Sequence, residues 1–388
     1  METIPMQSAC GTQGETIPMQ IARGTQGETI PMQSACGTQG ETISETSSKI
    51  KEYHFNASHG WYSRAVNKRF NLRFGKLHGE AESADFQGAE KFIPEVTKFI
   101  VDYFDGPEFV YNADEFGLNY KKVPTSSLQL PDNKMRGFKP NKIRVTGMVC
   151  GNLAGEKLKP LIIGKFQNPR DLPKDSARRD KLACYYEANK SSWMTGSLYW
   201  KWFLSCFIPE MEKRHGEDFY VLLLVDNCAA HPEVVGTLDP RVIMMFLPPN
   251  TTSLIQPMDQ GVIRNLKLKF HDILYRQLIN HIDYVRVSDL SAKPLVEFYK
   301  NLNISDVINN VGKAWDDVKA STIQNSWNKL LDKNILREKA AFREFAGPVA
   351  DTENIETENN QIIQNIVTNM NECTVMGVTT AEDITEVI

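Results

Sequence analysis

"FYVLLLVDNCAAHPE", Phe219 to Glu233, is the stretch on which the fold turns. From Tyr220 to Val225 every residue is apolar or aromatic. Such a run predicts a strand buried on both faces, of the kind found in the middle of an α/β sheet. The run ends directly on Asp226. An ionised carboxylate at the edge of a dry interior is costly unless it is paired or bound to a metal. A single Asp after a strand is explained by capping, because its oxygen accepts an orphan backbone N–H. A chemical role requires other carboxylates to converge on the same place.

The surrounding sequence supplies them. Strands are predicted at 108–113, 142–152, 158–164, 219–226 and 242–247. The first, within "FVYNADEFGL", ends on Asp114 and Glu115. The next two form a hairpin through "AGEK" at 154–157, and the helix "SLYWKWFLSCFIPEMEKRH", bent at Pro209, leads to the fourth. The fifth leaves the core at Pro248-Pro249, and the rigid loop "LPPNTTSLIQP" carries the chain to Asp259. There a helix starts, with Ile263, Leu266, Phe270, Leu274 and Leu278 on its apolar face. Arg264 and His271 lie along its edge and Lys267 at the border.

If the first and fourth strands are neighbours, Asp114, Asp226 and Asp259 fall on one side, at separations of 112 and 33 residues. Crowded carboxylates repel, so such a cluster persists only with a cation or with shared protons. Hard oxygen ligands suit Mg2+ or Mn2+. A pair of such ions activates a nucleophile and stabilises the leaving oxygen in phosphodiester cleavage. Glu115 is open as a fourth acid. Cys228 and His231 have C-x-x-H spacing, but no second pair completes a tetrahedral zinc site, so His231 is read as lining the metal site or capping the turn. Trp315 and Trp327 are read as core, and Ser321 as an N-cap.

The 388 residues carry a formal charge of −4. Eight acids and no Lys or Arg fall in 351–388, and residues 1–44 have a net charge of −3, which leaves 45–350 at +7. A basic body between acidic ends allows a polyanionic partner. No apolar run spans a bilayer, and the N-terminus lacks the order of a signal peptide. Seven cysteines without a C-x-x-C pair point to a reducing intracellular compartment. A phosphate-binding P-loop, a dinucleotide fingerprint and a G-x-S-x-G elbow are all absent.

"ETIPMQSACGTQG" at Glu2–Gly14 returns as "ETIPMQIARGTQG" at 15–27 and intact at 28–40. The period fits no standard solenoid, so 1–44 is read as a disordered repeat whose deletion leaves the melting temperature unchanged. Lys49 to His78 is strongly basic. It predicts a helix from about Gly60, with Trp61, Tyr62, Ala65 and Val66 on one face. Arg64, Lys68, Arg69 and Arg73 here, with Arg264 and Lys267 after Asp259, are candidate DNA-phosphate contacts. A further helix is predicted at 89–104, with Pro94 counting against an earlier start.

The motifs "VYNADEFGLNYKKVP", "RVTGMVCGNLAGEKLKPLIIGK", "VLLLVDNCAAHP", "FLPPNTTSLIQPMDQGVIRNLK" and "AWDDVKASTIQNSW" together resemble the DDE-type transposases of the pogo/Tigger group, with their relatives the jerky proteins and centromere protein B. The resemblance implies an α/β, ribonuclease H-like mixed sheet flanked by helices over 108–335. It implies Asp114, Asp226 and Asp259 as catalytic metal ligands for two Mg2+ or Mn2+ ions, with DNA hydrolysis and strand transfer as the reaction. "FNASHGWYSRAVNKRF" resembles the end of a centromere protein B-type helix-turn-helix, so 45–80 is expected to be a truncated version of that region. Residues 81–107 are then a linker and helix, and 336–388 an acidic, mostly disordered tail. The expected partner is DNA and the expected compartment the nucleus, with no membrane contact and with room for a homodimer. The alternative is a non-catalytic nuclear DNA-binding or chromatin protein that inherited the fold.

Overall fold

The structure, a computed structural model, describes residues 84–122, 143–228, 231, 239–285, 293–346, 352–372 and 380–388. All of these lie within one of the chain's two units, Gly75–Ile388. The repeat tract 1–44, the expected helix-turn-helix and its Arg64, Lys68, Arg69 and Arg73 lie outside the described residues.

Alternation along β5, Val221–Val225, accounts for the unbroken apolar run. Val221, Leu223 and Val225 pack on one face of the sheet with Tyr199, Phe203 and Phe207. Leu222 and Leu224 pack on the other with Val110, Leu247 and Trp327. Because both faces are dry, no position along the strand tolerates a polar side chain.

β5 pairs in parallel with β1, Val110–Leu118, and with β6, Val242–Phe246. β1 pairs antiparallel with β2, Val145–Asn152, and β2 antiparallel with β3, Leu161–Gly164. A fourth strand, β4, Tyr185–Ala188, lies parallel to β3 and was not expected from the sequence. It is four half-buried residues at the sheet edge, too short to show a period. The order β4-β3-β2-β1-β5-β6 is a mixed sheet, in which a three-strand antiparallel meander joins two parallel strands in the ribonuclease H-like arrangement.

One correction bears on function. β1 was expected to end at its acids, yet Asp114 and Glu115 lie inside it. Pairing with β5 stops at Asn112↔Leu224, whereas pairing with β2 runs on through Asp114↔Val149 to Leu118↔Val145. The antiparallel partner therefore holds β1 in strand form beyond the point where its parallel neighbour has ended.

The helices also differ from expectation in informative ways. α1, Phe86–Tyr103, starts before Ala89 because the Asp85 side chain caps Gly88 N–H, and Pro94 is accommodated inside it. α1, the helix expected in this segment, packs with Trp327 and Leu336 and so belongs to the core. The helix between β4 and β5 is α2, Gly196–Trp202, and α3, Ile208–His215, joined by a π turn at Phe203–Phe207. Pro209 has no N–H to return to the preceding turn, and the helix widens just before it.

α4, Val262–Val285, is packed by α5, Lys293–Asn301; α6, Ile304–Asp316; α7, Ala320–Ser326; and α8, Thr352–Glu372. His271 is consequently buried, not placed on an edge, and burial pushes its ring pKa down to about 3. α7 starts at Ala320 with Lys319 as N-cap, ahead of Ser321. α8 corrects the expectation of a mostly disordered tail: Ile363, Ile366 and Met370 are buried in the core, and Lys269 pairs with Glu358 at 2.9 Å. A last helix, α9, Ala381–Val387, is closed by a capping box on Thr380 and Asp383. Trp315 and Trp327 are core side chains, and the Trp315 indole donates to the Leu158 carbonyl at 2.8 Å. Among the described residues no helix is long and apolar enough to cross a membrane.

Candidate active site

The register places the acids. Asp114 lies on β1 beyond the last β5 pair, and Asp226 is the first residue after β5, so both stand at the same end of these strands. Alternation puts Asn112 and Asp114 on one face of β1, and Ala113 and Glu115 on the other.

Asn112, fully buried, is the hub on the first face. Its Nδ2 donates to the Leu224 carbonyl at 3.0 Å and to Gln256 Oε1 at 2.9 Å. Its Oδ1 accepts the Met258 N–H at 3.0 Å. Gln256, also fully buried, donates from Nε2 to the Ala113 carbonyl at 3.4 Å. One amide side chain thus ties together backbone two residues before Asp114, two before Asp226 and one before Asp259. Asp259 closes the short 3-10 turn Pro257–Asp259. Gly261, with φ +94, then turns the chain into α4, where an added Cβ would meet Ile355 at 2.9 Å.

Asp114 is buried and accepts the Glu115 N–H at 2.8 Å. Burial above all, and then the charges of Asp259, Glu115 and Asp226, hold its pKa well above the usual carboxylate range. Asp259, exposed, and Asp226 both act on Asp114 through their charge. Lys267 sits beside it, not out on a free helix face. Burial lowers its pKa, while Asp259 and Asp114 act in the opposite sense. Arg264, the other candidate phosphate contact on α4, is exposed.

The second face holds a different arrangement. His231 Nε2 lies 3.0 Å from Glu115 Oε1, and Nδ1 lies 3.1 Å from the Asp226 carbonyl. The ring packs against Tyr199 at 4.5 Å between centroids. Burial would lower the pKa of His231, but Asp226 and Glu115 outweigh it and raise it to about 11. The ring is then an imidazolium held between two carboxylates. Its Nδ1 is also 2.8 Å from Asp226 Oδ1, but off-line, so that this buried oxygen has no hydrogen bond. Cys228 is exposed and does not join the ring; its carbonyl accepts the His231 N–H at 2.8 Å.

The donor set fits a hard divalent cation. Carboxylate oxygens dominate, one of them is buried without a hydrogen bond, and the mutual repulsion of the acids calls for positive charge. Carboxylate oxygens of Glu115 and Asp226 and a ring nitrogen of His231 lie within 4.8 Å of one another, and His231 could join such a site only where a cation displaces its proton. The acids were legible in the sequence because they interrupt or follow apolar runs. Asn112 had the same signal, a polar residue inside "FVYNADEF", but without a partner in view it could not be distinguished from a tolerated strand amide. Gln256 lay inside the expected rigid loop and gave no signal.

Residues 142–327 match the DDE superfamily endonuclease family. Tigger transposable element-derived protein 7 of Homo sapiens is 34% identical over 296 residues, covering 72% of this chain and 52% of that protein. Jerky protein homolog of Homo sapiens is 30% identical over 279 residues, covering 70% of this chain and 46% of that protein. The chain spans about half the length of the curated relatives it matches. Among solved structures, the Mos1 transposase paired-end complex with left transposon end is 12% identical, with a TM-score of 0.35, covering 72% of this chain and 71% of that one.

Proposed function

Because this chain is a relative of the pogo/Tigger-type transposases and carries a DDE superfamily endonuclease domain, we propose that it cleaves phosphodiester bonds in DNA, with Asp114, Asp226 and Asp259 as the catalytic carboxylates. The observation that carries this is the Asn112 amide, whose hydrogen bonds to Leu224 and Met258 tie together the backbone next to Asp114 on β1, Asp226 at the end of β5 and Asp259 in the turn before α4.

Mg2+ or Mn2+ is the cofactor the donor set suits, and when bound it supplies charge neutralisation and water activation. The chain's own residues hold the acids at the spacing their backbone dictates. Asn112 and Gln256 fix that spacing from beneath. Glu115 and His231 hold Asp226 from the other face. Lys267 supplies a fixed positive charge next to Asp259 and Asp114. Joining a freed 3′-hydroxyl to a second DNA, action in the nucleus and assembly as a homodimer complete the proposal.

The test is relaxation of supercoiled plasmid. Wild-type protein with Mn2+ or Mg2+ is expected to nick the plasmid, and chelator or Asp226→Ala to abolish nicking. No nicking by the wild type, or equal nicking by the variant, would overturn the reading.

A further inference from the structure

An open groove of about 1070 Å³ has a lining that includes Arg144, Lys165, Phe166, Arg170 and Lys190 and a single acid, Asp171. Among the described residues, the side chains of Lys165, Arg170 and Lys190 make no ion pair and no hydrogen bond. Two large aromatic residues stand exposed here: Phe166, at 68%, lines the groove, and Trp193, at 54%, follows the lining residue Ser192 in the chain and stacks on the lining residue Arg144. Arg144 covers one part of Trp193, with its guanidinium carbon 4.0 Å from the ring centroid, and its Nε is buried without a hydrogen bond.

The aromatic is presented on a built turn. Asn189 Oδ1 accepts the N–H of Ser191 at 3.1 Å and of Trp193 at 3.2 Å. Between them Ser192 takes a positive φ of 55, and its carbonyl accepts from Thr146 Oγ1 at 2.6 Å. Arg144 lies against Gly117, three residues along β1 from Asp114, and acts electrostatically on Lys267.

Cations alone would serve a duplex, whose outer surface is phosphate. Exposed aromatic faces add nothing to a phosphate contact, but they stack on bases that have left their partners. We propose that this groove carries a short unpaired stretch of a DNA strand, with phosphates on Arg144, Lys165, Arg170 and Lys190 and bases on Trp193 and Phe166. The inference rests on the DNA reading above but not on hydrolysis.

The experiment titrates the full chain, in chelator, against a labelled single-stranded oligonucleotide and against the blunt duplex of the same sequence, by fluorescence anisotropy. Trp193→Ala is expected to weaken single-strand binding about tenfold, the loss of one stacked base, and to leave duplex binding unchanged. Trp193→Phe is expected to restore it. Arg170→Gln with Lys190→Gln is expected to weaken single-strand binding and to flatten its log–log salt slope by about 1.4. An unchanged single-strand affinity in Trp193→Ala, or an equal loss on the duplex, would overturn the proposal. Plasmid nicking by a wild type whose strand binding ignores Trp193 would remove the groove alone. Absence of nicking with the Trp193 effect intact would remove the catalytic reading alone.

Discussion

Asp114 makes the sharpest statement at the scale of single residues. Its folded pKa is raised, first by burial and then by the neighbouring acids. The protonated form is therefore favoured by folding. The associated stability is full below the ordinary carboxylate range and is lost as pH rises through the raised value. In chelator, Asp114→Asn should melt several degrees above wild type at about pH 8, with the gap closing near pH 4. Mn2+ at a hundred times its Kd should add about 2.7 kcal/mol to the wild type and much less to the variant. A calorimetric pH series checks both outcomes. Asn112→Ala should cost about 3 kcal/mol in urea unfolding, because it takes their Asn112 partner from the Met258 N–H, the Leu224 carbonyl and the Gln256 side-chain oxygen in a dry site. A loss below about 1 kcal/mol would mean that the amide is not the hub described. The acids could be read from sequence because a charge beside an apolar run is costly anywhere. Asn112, Gln256 and the Glu115–His231 contact depend on which strands are neighbours, and a local pattern does not contain that.

At the scale of elements, the central strands were legible from β5 outward, since burial on both faces leaves a run that nothing polar interrupts. β4 was not, because four half-buried residues at an edge have too few alternations to read. α8 is the instructive case. Its acids and the absence of Lys and Arg in 351–388 suggested a disordered tail. Yet Ile355, Asn359, Ile363, Ile366 and Met370 recur at helical spacing and are buried, with Asn359 accepting from Asn265 at 2.8 Å. Its Glu358 meets Lys269 and Lys319 on the body, so the tail's charge is used locally. Ending the chain after Ala346 removes the side chains of α8 that belong to the core cluster and the contacts of Asn359 and Glu358 with α4. Each buried side chain of α8 is worth about 1.5–3 kcal/mol. The truncated protein should melt at least about 5 °C lower, and an unchanged melting temperature would show that α8 does not stabilise the body.

For the whole molecule, the account reduces to one spatial claim. A ribonuclease H-like sheet, with β1 outlasting β5, brings Asp114, Asp226 and Asp259 to one end, where an amide hub sets their backbones and an imidazolium on the opposite face holds Asp226. The cationic groove lined by Arg144 and Phe166 is the path proposed for an unpaired strand. The sequence could place the acids in order but not the face each one takes, because the face depends on alternation counted from a strand start that only pairing reveals. The claim is met most directly by anomalous diffraction at the manganese edge from crystals grown with Mn2+. The expected result is density bridged by the carboxylates of Asp114, Asp226 and Asp259, lost in Asp226→Asn. Density confined to Glu115 and His231, or no density near Asp114, would contradict it.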